Sequence, residues 1–287
     1  MGLWIPLVLF YGLAKGARDA LKKQALTKSS VIEVLFYHAL IALVVLIPFS
    51  HNLLAVSFVD HLWIFLKSFV IFVGWIFAFT SIKHMPVSLY GVIDTARVVF
   101  SIVLALIFLG EVMTIPKAAG LLLVILGIVL VNFGNKDDGK AIKMKYLVIA
   151  LLSCLLNAIS GLLDKMLLSK GTLDSSQLQF FYMLYMTALY GVYIIFKREK
   201  IKLSTIKNNY WIAILSVLFV IADRALFIAN EDPESQITVM TLIKQSSVLV
   251  TVLCGKMFFK EKHILKRTVC AMVVFAGIIL ATVSISL

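Results

Sequence analysis

Ten apolar runs, most of them close to twenty residues long, govern what this chain can become. They cover residues 3–24, 33–50, 61–83, 86–109, 117–134, 145–169, 176–196, 209–230, 236–258 and 265–285. About twenty mainly apolar residues cross a bilayer as an α-helix. The runs are continuous and lack the two-residue alternation of a barrel strand, so an all-α membrane protein of ten transmembrane helices is expected. The second run is short, which suggests a tilted or interfacial helix. In 287 residues the loops are too brief for a separate soluble domain. Composition agrees. Hydrophobic residues make up 61% and charged residues 15%, against about 45–50% and about 25% in soluble chains. That excludes an ordinary soluble domain and a disordered chain. The start, Met1-Gly2-Leu3-Trp4, has no basic n-region or small-residue cleavage site and reads as the first membrane helix. Cys154, Cys254 and Cys270 lie in apolar runs without metal-ligand spacing and read as packing residues.

The most polar connector, residues 134–140, stands near the midpoint. A repeat surrounds it. Phe108-Leu109-Gly110-Glu111 recurs 150 residues later as Phe258-Phe259-Lys260-Glu261, and sixteen residues past each Glu stands Gly127 or Gly277. Ala20-Leu21-Lys22-Lys23 aligns with Leu162-Leu163-Asp164-Lys165 at an offset of 142. The expected units are two five-helix halves, 1–135 and 145–287. Five is odd, so the second half enters the membrane from the opposite side as an inverted repeat.

The loop charges agree. Basic residues follow the first span (Lys22, Lys23, Lys28), the seventh (Lys197, Arg198, Lys200, Lys202, Lys207) and the ninth (Lys260, Lys262, Lys266, Arg267), while Glu231, Asp232 and Glu234 follow the eighth. By the positive-inside rule the basic loops are cytoplasmic and both termini lie outside. The net charge of +12 is then mostly a topology signal. No basic surface domain remains to bind nucleic acid.

Two five-helix halves, with a Glu ending each fourth helix and a Gly in each fifth, resemble the drug/metabolite transporter superfamily, in particular its EamA-type ten-helix permeases. The resemblance covers nearly the whole chain. It implies an alternating-access carrier whose central cavity is lined by the first, third and fourth helices of each half. Substrates across that superfamily are diverse. Its eukaryotic nucleotide-sugar members are usually drawn with cytosolic termini, unlike the orientation that the loop charges favour here.

Charges within the spans are the candidate site, since each costs about 2.5–3.5 kcal/mol at the bilayer centre and must face the interior, pair or serve a pathway. Lys15, Arg18, Asp19 and Lys22 share one face of the first helix. Lys22 is near enough to the end to snorkel. In the fourth span Tyr90, Asp94, Arg97 and Ser101 form a stripe, and at the 150 offset Lys244 and Ser247 answer Asp94 and Arg97. Asp223 and Arg224 are adjacent in the eighth span, about 100° apart around it. Trp75 and Asn157 complete the expected substrate-binding set. Each has a structural alternative: salt bridges within the first helix, an Asp94–Lys244 or Asp94–Arg97 pair, core packing for Trp75. His38 reads as a packed hydrogen-bonding residue or a relay, and Tyr182, Tyr185 and Tyr190 as packing or interfacial aromatics. Asp164 and Lys165 read as an interfacial pair, and Glu111 and Glu261 as helix-end braces.

The deep basic residues Lys15, Arg18, Arg97, Arg224 and Lys244 outnumber Asp19, Asp94 and Asp223 by two. Uncompensated buried positive charge is relieved by an anion, and Arg and Lys suit carboxylate or phosphate. The expected function is secondary transport of a small anionic or zwitterionic metabolite by a monomer in a bacterial plasma membrane. Coupling to protons through Asp19, Asp94 or Asp223 and plain exchange both stay open. The alternative is a flippase or exporter for a lipid-linked or amphiphilic phosphate-bearing substrate. An enzyme is not expected: the sequence has no HExxH, GxSxG or Walker A motif, and no metal or cofactor is called for.

Overall fold

The computed structural model describes residues 3–108, 113–132, 136–137, 140–141, 143–169, 171, 173–199, 201–202, 204–232, 235, 237–259 and 264–283. The first half holds α1 (Trp4–Lys28), α2 (Val31–Leu46), α3 (Phe58–His84), α4 (Val87–Asp94), α5 (Ala96–Phe108) and α6 (Ile115–Asn132). A 3-10 turn, Ile47–Phe49, prolongs α2. Lys136–Asp137 pairs antiparallel with Lys140–Ala141 in the connector. The second half holds α7 (Met144–Leu168), α8 (Ser175–Lys197), the short α9 (Ser204–Asn208), α10 (Trp211–Glu231), α11 (Ile237–Ile243), α12 (Ser246–Phe259) and α13 (Ile264–Val283). Among the described residues the fold is all-α apart from that hairpin. Among the described residues, six stretches are long and apolar enough to cross a membrane: Val31–Phe49, Phe58–His84, Val87–Phe108, Met144–Leu168, Ser175–Lys197 and Trp211–Glu231.

Local chemistry sets several helix starts. Ser30 and Glu33 form a capping box on α2, and Asp174 and Gln177 form one on α8, each satisfying two orphan amides. Ser57 caps α3, and Pro86 precedes α4. Glu33 also accepts from the Thr205 hydroxyl at 3.2 Å, which fastens the basic 197–208 segment to the start of α2.

Two corrections concern the spans. The second is a full-length helix with its 3-10 extension, 19 residues in all. The fourth span is one crossing, Val87–Phe108, but it and the ninth each carry a tightened turn, where bonds to the third residue back replace the regular ladder. Thr95 interrupts α4 and α5, and Lys244-Gln245 interrupts α11 and α12. Glu111 and Glu261 lie outside the described residues. Gly127 and Gly277 are buried, and α6 lies against α13.

Helix directions follow from side-chain contacts. Asn209, just before α10, donates to the Ala25 carbonyl and to Ser29 at 2.8 Å, while Trp4 and Val8 pack with Leu226 and Ala229. So α1 and α10 are antiparallel. Ser81 and His84 near the end of α3 meet Tyr146 near the start of α7. The same end of α3 receives Lys23 from the end of α1. Hence α1 runs toward that end of the bundle and α7 runs away from it. The pairings are reciprocal: α1 lies on α10 and α12, while α7 lies on α3 and α5. Apolar side chains such as Leu62, Phe69, Leu122, Val192 and Leu253 point outward, as suits a bilayer solvent.

Candidate functional site: a charged cavity at two helix breaks

The site begins with glycine. A Cβ on Gly16 would stand 2.5 Å from the Ser247 carbonyl oxygen and 2.6 Å from Val250 Cβ. A Cβ on Gly12 would strike Ser246. Their four-residue spacing lets the α1 backbone touch the α11–α12 break. A Cβ on Gly91 would stand 2.6 Å from Thr251, so α4 seats on α12 in the same way. The three helices thus bring charges from distant parts of the chain to one depth.

Asp94 ends α4. Its carboxylate takes Lys15 at 2.5 Å and Arg97 at 2.6 Å. Lys15 also lies 3.4 Å from Ser247 Oγ and 3.7 Å from Asp19. Asp19 holds Lys22 at 2.8 Å. Arg18 meets Asp223 at 3.0 Å and lies over the Tyr11 and Phe219 rings, 5.3 and 5.0 Å from their centroids. Lys67, 2% exposed, pairs with Asp164 at 3.0 Å and sits 3.6 Å above Tyr182. Lys244 forms no ion pair among the described residues; its ammonium lies 5.8 Å from the Tyr11 ring centre. The Nε donors of Arg18 and Arg97 are buried without acceptors.

These groups surround a cavity of about 120 Å³. Of the sequence-derived candidates, Lys15, Arg18, Asp19, Trp75, Tyr90, Arg97, Asn157, Asp223 and Lys244 line it. Asp94 and Ser247 lie behind Lys15 rather than on the wall. Arg224 is turned away and donates to the Phe49 carbonyl at 3.0 Å. Being adjacent to Asp223, it falls on another face of the helix. Asp94 takes Arg97 as anticipated, but its second cation is Lys15 rather than Lys244.

The sequence reading missed part of the wall. Lys67 was hidden inside a long apolar run, although an ammonium amid twenty apolar residues is itself a signal. Asp164 does not pair with Lys165; it turns inward to Lys67. Lys165 instead donates to the Asn230 and Asp232 carbonyls at 3.1 and 3.2 Å and to Ser235 at 2.7 Å. Lys22 does not snorkel but lines the cavity. Tyr182 faces the cavity, whereas Tyr185 meets His61 and Tyr190 packs on Phe72. His38 also reaches the cavity, with Nδ1 3.0 Å from Ser216 Oγ.

Residues 2–133 match the model of the EamA-like transporter family. That stretch of the chain is similar to the family. The match and the six stretches of crossing length mark a multi-pass membrane protein. The fold extends further than the sequence match: one solved crystal structure, 12% identical, aligns with a TM-score of 0.66 over 96% of this chain and 96% of its own. No curated relative matches the sequence.

Proposed function

We propose that this EamA-like protein is a secondary transporter of a small anionic or zwitterionic metabolite, built as ten membrane-crossing helices in two inverted five-helix repeats, 1–135 and 145–287. Broken helices at corresponding places support that architecture, as do the opposed directions of α1 and α7 and the reciprocal pairings of the halves. Each break counts with its neighbour as one crossing. The cavity between halves is then the substrate site, opened to one side at a time. The loop charges favour external termini, and the reading takes the carrier to be a monomer in a bacterial plasma membrane.

One observation carries the substrate class. Lys15, Arg18, Lys22, Lys67, Arg97 and Lys244 surround the cavity, against the carboxylates of Asp19, Asp94, Asp164 and Asp223. The surplus is two positive charges in a low-dielectric space, and an anion relieves it. Lys244 and the two guanidinium Nε donors are the groups left over to receive it. The aspartates suit an ammonium on the same molecule. A volume of about 120 Å³ lies below the roughly 300 Å³ where drug-sized pockets begin, which favours a small solute over an acyl-chain amphiphile.

The test is thermal stabilisation of the purified protein by soluble metabolites grouped by charge, beside Arg97→Ala and Lys244→Ala. Carboxylates, phosphates or amino acids should shift the wild type and not the variants. Stabilisation only by cations would overturn the charge argument, and stabilisation only by lipid phosphates would favour a flippase.

A further inference from the structure

The four buried carboxylates are not held alike. Asp94 is gripped by Lys15 and Arg97, and Asp19 by Lys22 with Lys15 beyond. Asp223 is paired with a guanidinium, a group that keeps its charge at any physiological pH. Asp164 has one ion-pair partner, the Lys67 ammonium, and no hydrogen bond from a third group reaches its carboxylate among the described residues. Lys67 in turn has a second attraction, the Tyr182 ring face at 3.6 Å with Phe227 at 5.4 Å. A desolvated ammonium on an aromatic face is retained by about 2 kcal/mol, so Lys67 keeps its place when its carboxylate is neutralised.

The surroundings of Asp164 are mixed in sign. On α3 it faces Lys67, on α10 Asp223, on α5 Arg97 across the cavity, on α8 the Tyr182 hydroxyl, and at the α11–α12 break Lys244; Lys165 follows it on α7 but points to the α10–α11 turn. Asp164 therefore shares the cavity wall with its partner Lys67 and with Lys244, which forms no ion pair among the described residues, the two ammoniums that an anionic substrate would seek.

We propose that the Lys67–Asp164 pair is the proton-coupling site of the carrier: Asp164 takes up one proton as one anionic group of the substrate replaces it beside Lys67 and Lys244. A proton from water in the cavity bonds to an Asp164 oxygen, and no other bond is made or broken. The cavity loses one negative charge and gains one, so its net charge is unchanged. This avoids the cost of altering charge in a low-dielectric space. The coupling ion is thereby named, and it acts at Asp164 rather than at Asp19, Asp94 or Asp223. The inference rests on the anion-transporter reading.

Two measurements test it. The first needs no substrate. Infrared difference spectra between neutral and acidic pH, on protein labelled with ¹³C-aspartate, should show a protonated buried carboxyl in the wild type and not in Asp164→Asn. The second uses methanesulfonate and taurine, whose sulfonates stay ionised throughout. One proton per anion strengthens wild-type binding about tenfold per pH unit lowered. Asp164→Asn should bind with no pH slope, and Asp164→Glu should keep one. If Asp164→Asn is unstable, the Lys67→Gln/Asp164→Asn double variant removes the pair without stranding a charge and should also lack the slope. A carboxyl band or a pH slope that persists without Asp164 overturns this inference and leaves the transporter reading standing. No anion-induced stabilisation of the wild type at any pH overturns the anion cavity, and the coupling site with it.

Discussion

Under the proposed alternating-access cycle, Lys23→Met is the most informative perturbation. The Lys23 ammonium donates to the carbonyls of Ile82, Lys83 and Met85 at 2.8, 3.0 and 2.8 Å. These belong to the end of α3 and the turn into α4, where unpaired carbonyls and the helix dipole both favour a cation. The other half repeats the device. Lys165 ties the end of α7 to the α10–α11 turn through Asn230, Asp232 and Ser235. The two ties are at opposite ends of α10, since Asn209 marks the Lys23 end and Asn230 the Lys165 end. At 1.5 Å per residue they are about 30 Å apart, one on each side of the cavity. Hydrogen bonds to a charged group are worth about 1.5–3 kcal/mol each when buried. Lys23 is only half-buried and water replaces part of the loss, so about 2 kcal/mol for the three together is a fair value. That corresponds to about a 30-fold shift toward an opened end. The assay is modification of a cysteine at Ala78, a buried cavity-lining position on α3, in protein whose Cys154, Cys254 and Cys270 are replaced. A membrane-impermeant thiol reagent applied from the Lys23 side should react about 30-fold faster in Lys23→Met. Lys165→Met should leave that rate unchanged or lower it, because opening the far end competes with opening the near one. Equal rates in wild type and Lys23→Met, or equal acceleration by both variants from one side, would refute the reasoning.

Three further outcomes follow from the same geometry. Asp223→Asn strands the Arg18 guanidinium and should cost about 3–5 kcal/mol, seen as a lowered Tm; replacing both residues by Leu should recover most of it. Gly16→Ala forces α1 back by most of an ångström from Ser247 and Val250 and should cost about 1–3 kcal/mol as overpacking, whereas Gly161→Ala meets nothing within 4 Å and should be tolerated in thermal unfolding. Lys244→Ala removes a cation without an ion-pair partner, so stability should stay within about 0.5 kcal/mol while anion binding, read by the thermal-shift titration, weakens at least tenfold, about 1.4 kcal/mol.

Much of this was legible in the chain, and the exceptions have physical causes. Hydropathy located the six described stretches of crossing length because a bilayer demands long apolar helices whatever their tertiary partners. It did not reveal the breaks at Thr95 and at Lys244-Gln245, which contain neither Gly nor Pro. Their trace is the polar run Asp94-Thr95-Ala96-Arg97, answered by Lys244-Gln245-Ser246-Ser247 at the same depth of the other half. Inverted-repeat carriers place binding groups at corresponding irregular turns of their helices, so the run should be read as a locally tightened turn and not only as polar lining. Helical periodicity placed Lys15, Arg18 and Asp19 on one face, since that depends on α1 alone. Their partners were another matter. Asp94 takes Lys15, 79 residues away, rather than the depth-matched Lys244, because Gly12 and Gly16 draw α1 against the Lys244-Gln245 turn. Lys67 and Asp164 find each other only because α3 packs against α7. A single sequence states the price of burying each charge. Which opposite charge meets it depends on helix packing, and among the described residues that packing leaves Asp164 with one ion-pair partner and Lys244 with an aromatic ring but no ion pair, the two conditions from which a coupled anion site can be built.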